Sequence, residues 1–160
     1  MQNRDPQLET SGKIIGFYER EFYPFSNFSS FMVKWRGKLW PTSEHAYQAS
    51  RFIGKDAKVV QKILKARSAD DAYKIAQQYK SKDFSKYRDD DLKNMEEILR
   101  LKLKQNPYVM RKLLQTKNLL IVEDSPKDSF WGWGKNKKGR NELGKIWMKL
   151  RDELKKKKQN

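Results

Sequence analysis

The chain has 160 residues with one histidine and no cysteine, which excludes disulfides, thiolate metal sites, a cysteine nucleophile and any multi-histidine metal site. Its length points to one domain, and no apolar run approaches the roughly 18 residues of a membrane span. Lysine and arginine number 36 against 20 aspartate and glutamate, a formal net charge of +16. This charge either attracts polyanions and phosphorylated small molecules or serves only as a solubility coat.

Three regions are predicted along the chain. Residues 1–12 are expected to form a flexible polar arm, residues 13–154 a single folded domain, and residues 155–160 a frayed basic tail. Because the first ten residues lack an apolar h-region, we do not expect them to form a secretory signal. We expect an intracellular, cytoplasmic protein with no membrane partner.

Short strands and helices are predicted in the first half of the domain. Short runs rich in apolar and aromatic residues indicate the strands, and capping residues indicate where the helices start. The predicted elements are a strand at Lys13–Tyr18, two strands within Phe31–Trp40 around Arg36-Gly37, a helix with Ser43 as N-cap, a helix at Asp56–Lys65 and a helix that starts at Ser68.

The second half is predicted to be more helical. Its expected elements are a helix from about Asp90 to Gln105, a helix at Tyr108–Gln115 preceded by Pro107, a β-rich run at Leu119–Glu123, a glycine-rich loop at Asp124–Arg140 and a last helix opened by Asn141. The loop lacks the ending of a P-loop, and we reject that interpretation. The sequence therefore predicts a mainly helical α+β domain with a few short strands.

Lys102 breaks the pattern of the fourth predicted helix. At about 100° per residue, it falls inside the apolar arc, whereas Lys93, Arg100 and Lys104 lie on the opposite side. A lysine in that position must extend its amine to solvent, pair with a carboxylate or lose its charge. Both a structurally paired lysine and a site lysine that faces a cleft remain open.

Glu44 lies in the first turn of the helix after Pro41. It is either an ordinary acid that complements the helix dipole or a general acid in an aromatic surround formed by Trp40 and Tyr47. The neighbouring His45 is interpreted as a packed or hydrogen-bonded histidine rather than a base.

The glycine-rich loop combines an acid with exposed aromatic residues. Asp128 stands three residues before Trp131-Gly132, where turn chemistry is the simpler interpretation. Phe130, Trp131 and Trp133 are costly to expose unless the loop covers something. Two aromatic planes beside backbone amides would suit a stacked heterocycle and a phosphate.

Four blocks occur in a fixed order and together resemble the YbiA-like, or NADAR, family over about Ile14–Leu154. The blocks are Phe25–Phe28 (FSNF), Trp40–His45 (WPTSEH), Lys102 with Gln105-Asn106, and the stretch from Val122 to Gly144 that contains Asp128, Trp131-Gly132 and Asn141.

The resemblance implies a YbiA-like fold and an N-glycosidase that uses no metal or organic cofactor. Known members hydrolyse the ribosyl–amine bond of phosphorylated pyrimidine intermediates of riboflavin synthesis, and others remove ADP-ribose from guanine in nucleic acid. The resemblance assigns catalytic roles to Glu44, Lys102 and Asp128. It assigns substrate contacts to Asn27, Phe28, Tyr87, Trp131, Gly132, Gly134 and Asn141. Tyr87 stands where relatives carry a site tryptophan, and Ala76-Gln77 stands where they carry Gly-Arg.

The residues and the resemblance allow more than one substrate and more than one mechanism. The expected ligand is a phosphorylated N-riboside or an ADP-ribose-type molecule; the basic loop Lys135–Arg140 favours nucleic acid without excluding small phosphates. Glu44 and Asp128 are the expected carboxylate pair, and Lys102 either attacks a ring-opened imine or anchors phosphate. The alternative is a catalytically inactive ADP-ribose or nucleic-acid binding module. The oligomeric state is left open.

Overall fold

A computed structural model describes residues 14–18, 20–81 and 89–159. The described elements are β1 (Ile14–Phe17), a 3-10 helix (Arg20–Phe25), β2 (Val33–Trp35), β3 (Lys38–Trp40), α1 (Ser43–Ser50), α2 (Ala57–Leu64), α3 (Ala69–Tyr79), α4 (Asp89–Gln105), α5 (Pro107–Gln115), β4 (Leu120–Glu123) and α6 (Glu142–Lys158). Helices predominate over short strands, so the predicted mainly helical α+β class is confirmed. None of the helices described has the length and apolar character needed to span a bilayer.

The described residues form two compact units. One consists of residues 27–106 and contains β2, β3 and α1 to α4. The other combines the described residues up to 26 with residues 107–159 and contains β1, the 3-10 helix, α5, β4 and α6.

In the unit of residues 27–106, an antiparallel hairpin packs against two of the four helices, α1 and α4. The two-residue turn Arg36-Gly37 joins β2 to β3, and both residues have positive φ, 48° and 75°. This is the type I′ geometry that matches the twist of paired strands. Trp35 and Trp40 are buried and tilted against each other, with ring centroids 6.4 Å apart. The hairpin thereby supplies the aromatic part of the core that α1 and α4 complete with aliphatic side chains.

The last residues of α4 hold strand β2 in place. The side-chain amide of Gln105 accepts from Lys34 N (2.7 Å) and donates to Lys34 O (2.9 Å), so it completes the edge of the strand as a neighbouring backbone would. Asn106 Nδ2 donates to Met32 O at 3.1 Å and to Lys102 O at 2.9 Å. This pairing fixes the position of α4 relative to the segment that precedes β2.

The other unit is built on two parallel strands and the last helix. β1 pairs with β4 in parallel, with Ile15 opposite Ile121. α6 covers β4 through a buried stripe that includes Leu143 and Trp147. Trp147 Nε1 donates to Phe25 O at 3.0 Å, which ties the 3-10 helix to α6.

Three features differ from the sequence prediction. Thr42, not Ser43, is the N-cap of α1, because its hydroxyl accepts from His45 N. α6 continues as helix through Lys158, where a frayed basic tail from Lys155 was predicted. The 3-10 helix was not predicted, since Pro24 lies inside it and its pattern is too short to show a helical period.

Candidate active site

The start of α1 is tied to the segment that carries Asn27. Thr42 has extended backbone angles (φ −144°, ψ 165°) and caps the helix in the usual manner of a threonine. One residue further on, Glu44 N donates to Asn27 O at 3.0 Å. A free backbone N–H of the first helical turn is therefore satisfied by a neighbouring loop, and this fixes Asn27 beside Ser43 and Glu44.

His45 is buried and hydrogen-bonded, as the sequence predicted. Its Nε2 lies 3.0 Å from Ala66 O, a group that can only accept, so Nε2 carries the proton. Its Nδ1 then accepts from the Thr42 hydroxyl at 2.8 Å. Burial lowers the pKa of His45, an effect that the bond to Ala66 O partly opposes. Both ring nitrogens are thus engaged with the protein, which leaves His45 to hold the start of α1 in place.

Lys102 on α4 is fully buried, and its amine is held by two serine hydroxyls. Lys102 Nζ donates to Ser29 Oγ at 3.0 Å and to Ser43 Oγ at 3.3 Å. It also lies 5.7 Å from the centre of the Phe31 ring. The prediction that Lys102 faces inward is therefore confirmed, and its amine meets the segment before β2 and the first turn of α1.

Ser43 connects Lys102 to Asn27. Its hydroxyl accepts from Lys102 and donates to Asn27 Oδ1 at 2.9 Å. The Asn27 amide nitrogen in turn points to Met95 Sδ at 3.4 Å. A hydroxyl has only one proton to donate, and Ser43 gives it to Asn27. The hydrogen bonds therefore all run in one direction, from the Lys102 amine through Ser43 to the Asn27 amide oxygen.

Burial lowers the pKa of Lys102 from 10.5 to about 7. The cause is desolvation, because burial disfavours the charged ammonium. A substantial fraction of the amine is therefore neutral near neutral pH and carries a lone pair. A neutral primary amine is the form of lysine that can attack a carbonyl or an imine.

Glu44 is also buried, at 6% exposure, on the same helix as Ser43. Its Oε1 accepts from Gln48 Nε2 at 2.7 Å, one helical turn further along α1. Residues four apart on a helix share a face, which is why this pair can meet. The carboxylate is thus covered from solvent and oriented by an amide donor.

In the other unit, Asp128 holds the glycine-rich loop. Its Oδ1 accepts from Phe130 N at 2.9 Å and from Trp131 N at 2.7 Å. This is the turn chemistry that the sequence left open as the simpler interpretation of Asp128. Only Oδ1 takes part in these bonds, so a chemical role of the second oxygen stays a prediction.

The loop folds back on itself along its backbone. Asn141 N donates to Gly132 O at 2.9 Å and Leu143 N to Trp131 O at 3.0 Å. Gly132 cannot carry a side chain, since a Cβ there would collide with Glu123, and Gly134 has a φ of 71°. Asn141 adopts the left-handed conformation and bonds β4 with its side chain, accepting from Glu123 N and donating to Ile121 O, both at 2.9 Å.

Two aromatic faces of the loop are covered by its own cations. The Arg140 guanidinium lies 4.8 Å from the Phe130 ring centre, and Lys137 Nζ lies 5.3 Å from that of Trp133. Trp131 is buried. The Arg140 guanidinium is also paired with the Glu142 carboxylate at 2.9 Å, so this cation is held by both an aromatic ring and an acid.

The predicted site residues divide between the two units. Residues 27–106 bring together Asn27, Glu44 and Lys102, and they leave Phe28 exposed. The glycine-rich loop collects Asp128, Trp131, Gly132, Gly134 and Asn141. Tyr87 lies outside the described residues.

Ser29 and Ser43 bind the Lys102 amine and Gln48 binds the Glu44 carboxylate, although the sequence assigned none of the three a site role. The spacing of four from Glu44 could have indicated Gln48, whereas Ser29 carries no signal at all. In the part of the chain that the structure describes, no three histidine, aspartate or glutamate side chains converge where a metal ion could be held.

The comparisons with known proteins agree on one family. A model of the NADAR domain matches residues 16–155. The N-glycosidase YbiA of Shigella boydii is 36% identical over 144 residues, which cover 88% of this chain and 88% of that protein. The riboflavin biosynthesis protein VVA0006 of Vibrio vulnificus is 38% identical over 142 residues, which cover 88% of this chain but only 38% of that longer protein.

A solved structure shows the same fold. The NMR structure of Escherichia coli YbiA superposes with a TM-score of 0.80 at 32% identity, and the match covers 96% of this chain and 92% of that one. The YbiA-like fold implied by the sequence motifs is therefore confirmed.

Proposed function

Because the chain belongs to the NADAR domain family, as its motifs predicted, we propose that it is an N-glycosidase, a hydrolase that cleaves the bond between ribose C1′ and the nitrogen of an N-ribosylated base. Two relatives that align with this chain over most of their own length are named N-glycosidases. The same catalytic class is supported by the chemistry of two buried groups, the Glu44 carboxylate and the Lys102 amine.

The observation that carries this proposal is the buried amine of Lys102 on the hydroxyl of Ser43, next in sequence to a buried carboxylate. Burying an amine and a carboxylate is costly, and such groups are retained where their altered chemistry is used. A lysine that only supported the fold could be replaced by a methionine of similar length. A neutral amine and a shielded carboxylate are the groups on which two routes of N-glycoside cleavage can be built.

The direct route uses the carboxylate. As the C1′–N bond breaks, positive charge builds on the sugar and negative charge on the leaving nitrogen. Glu44 would stabilise the oxocarbenium-like sugar, water would form the new C1′–O bond, and the nitrogen would leave with a proton. Asp128 is the proposed second carboxylate in this reaction, as in the carboxylate pairs of glycosidases.

The amine offers a second route when the ribose is attached through an exocyclic nitrogen. The sugar ring can then open to an imine, and the neutral Lys102 amine can add to C1′. Departure of the base amine, which takes a proton, leaves a Schiff base between C1′ and Nζ. Water then adds to C1′, and the C1′–Nζ bond breaks to release the ribose aldehyde and the free lysine. Glu44 would carry the protons in these steps.

Two substrates remain to be distinguished. A phosphorylated ribosylamino-pyrimidine is favoured by relatives named as riboflavin biosynthesis proteins. ADP-ribosylated guanine in nucleic acid is favoured by the exposed cations of the loop at Lys135, Lys137, Lys138 and Arg140. Both place a ribose C1′–N bond at the reacting centre, so the proposed reaction is the same.

To test this proposal, purified protein is incubated with each substrate in turn, and release of the base is measured by mass spectrometry. We expect release from at least one substrate, and Glu44→Gln should lower the rate at least about 100-fold, the usual scale for loss of acid–base catalysis. Glu97→Gln, an exposed change on α4, is the matched control and should leave the rate unchanged. Ligand binding without turnover would contradict the proposal and indicate an inactive binding module.

A further inference from the structure

We propose that Gln48 contacts the reacting sugar directly, with its amide oxygen accepting a hydrogen bond from the ribose 2-hydroxyl while its amide nitrogen holds Glu44. This inference rests on the proposed function and adds a specificity-determining residue to it. It is carried by the hydrogen bonds of Gln48 rather than by the family resemblance, which did not assign this residue a role.

The orientation of the Gln48 amide follows from its partner. Glu44 Oε1 lies 2.7 Å from the amide and can only accept while ionised, so the nitrogen of Gln48 must face Glu44. The oxygen of the same amide then points away from that contact. The side chain therefore has one end committed to Glu44 and one end that is free to bind something else.

That free end lacks a partner within the described residues. Gln48 is 4% exposed, and its Oε1 is buried without a hydrogen bond. A buried carbonyl oxygen that has given up water without gaining a donor destabilises the fold, and native structures contain few of them. An acceptor of this kind beside a buried carboxylate is expected where a ligand supplies the missing donor.

The chemistry of the site identifies the donor. If Glu44 acts at C1′, the sugar hydroxyl nearest to its carboxylate is the one on C2′, the adjacent carbon. Hydrogen bonds to this hydroxyl strengthen in the transition state of glycoside cleavage, because they respond to the charge that develops at C1′. Glu44 and Gln48 lie on one face of α1, so one helix would present the carboxylate to C1′ and the amide oxygen to the 2-hydroxyl. Since Glu44 and Gln48 are both buried, binding must also move a neighbouring side chain aside.

The test compares ribose 5-phosphate with 2-deoxyribose 5-phosphate as binding probes, measured by titration calorimetry. We expect the wild-type chain to bind the ribose compound about five- to tenfold more tightly, the effect of one hydrogen bond. Gln48→Met should lose this preference by weakening the ribose compound alone. Gln61→Met, an exposed glutamine on α2, should keep it.

A second variant separates the two ends of the amide. Gln48→Glu keeps an acceptor oxygen but places a second carboxyl group beside Glu44, and the repulsion between the two carboxylates should lower turnover at least tenfold while the preference for ribose remains. It also serves if Gln48→Met fails to fold. Equal binding of both probes by the wild-type chain, or loss of the preference in Gln48→Glu, would overturn the inference.

The outcomes also separate this inference from the proposed function. Turnover without any preference between the probes would refute the contact to Gln48 and leave the glycosidase intact. A preference that depends on Gln48 without any base release would support the sugar contact and refute the glycosidase.

Discussion

Lys102 Nζ donates a hydrogen bond of 3.3 Å to the hydroxyl of Ser43, the residue that immediately precedes Glu44. The backbone of α1 thereby links the lysine of one helix to the carboxylate of another. Because Ser43 also donates to Asn27 Oδ1, rotation of its hydroxyl is restricted by two partners. The amine is thus held in one position by hydrogen bonds within the protein, a form of preorganisation that lowers the cost of reaching the reacting geometry.

The buried amine should make stability depend on pH. Burial lowers the pKa of Lys102 from 10.5 to about 7, so between those values the unfolded chain binds a proton that the folded chain does not. The free energy of unfolding should therefore rise as pH increases from about 7 to 10.5. Lys102→Met lacks this group. Raising the pH from about 7 to 10.5 should therefore stabilise the wild type relative to the variant.

Urea unfolding at pH 7, 8.5 and 10 measures this difference. Lys104→Met, an exposed neighbour on α4, is the control and should follow the wild-type pH dependence. If the free energy of unfolding changes with pH by the same amount in wild type and in Lys102→Met, the amine is as easily protonated in the folded chain as in water.

Reduction should trap a covalent intermediate if Lys102 attacks the sugar. In the presence of substrate and borohydride, the Schiff base at Nζ becomes a stable secondary amine, and peptide mass spectrometry should find the added sugar at Lys102. The adduct should increase from pH 6 to pH 8, because the neutral amine fraction increases through a pKa of about 7. Turnover without an adduct at Lys102 would favour the direct route through Glu44.

The order of the elements could largely be predicted from sequence, because it depends on local signals. Ser68 accepts from Asp71 N as a cap should, and Asp56 caps α2. The shift of the α1 cap from Ser43 to Thr42 shows where such signals fail. Two adjacent hydroxyl residues are equally good caps, and the choice is made by a contact with Asn27, which is 16 residues away.

The candidate site was predictable only in part, for the same physical reason. Lys102 could be identified because one charged residue interrupts an apolar helix face. Ser29 could not, since its role comes from a contact with Lys102 73 residues further along the chain. The buried oxygen of Gln48 is likewise a property of the folded interior and leaves no trace in the sequence pattern.

Substitution of Asp128 should separate its role in the loop from a role of its charge. Asp128→Ala removes the acceptor for Phe130 N and Trp131 N, and we expect the free energy of unfolding to fall by about 1–2 kcal/mol, the scale of a lost cap. Asp128→Asn keeps an oxygen acceptor and should stay within about 0.5 kcal/mol of wild type. Thermal unfolding gives both values.

The activity of Asp128→Asn then decides whether the charge is used. We expect base release to fall at least about 100-fold in a chain of nearly normal stability, since a neutral amide cannot stabilise a positively charged sugar. Activity close to wild type in this variant would restrict Asp128 to holding the loop.

The basic loop should determine how the reaction responds to salt. Lys135, Lys137 and Lys138 are exposed, and each phosphate contact they make with a nucleic-acid substrate should add about 0.7–0.9 to the slope of log affinity against log salt concentration. Replacing all three with glutamine should flatten that slope by about 2–3 and leave hydrolysis of a small phosphorylated riboside unchanged. The same charge change at the exposed residues Lys58, Lys93 and Lys104 is the control, because it alters net charge without altering the loop. If both triple variants flatten the slope equally, the loop is not the contact surface, and the net charge of +16 acts only as a general field.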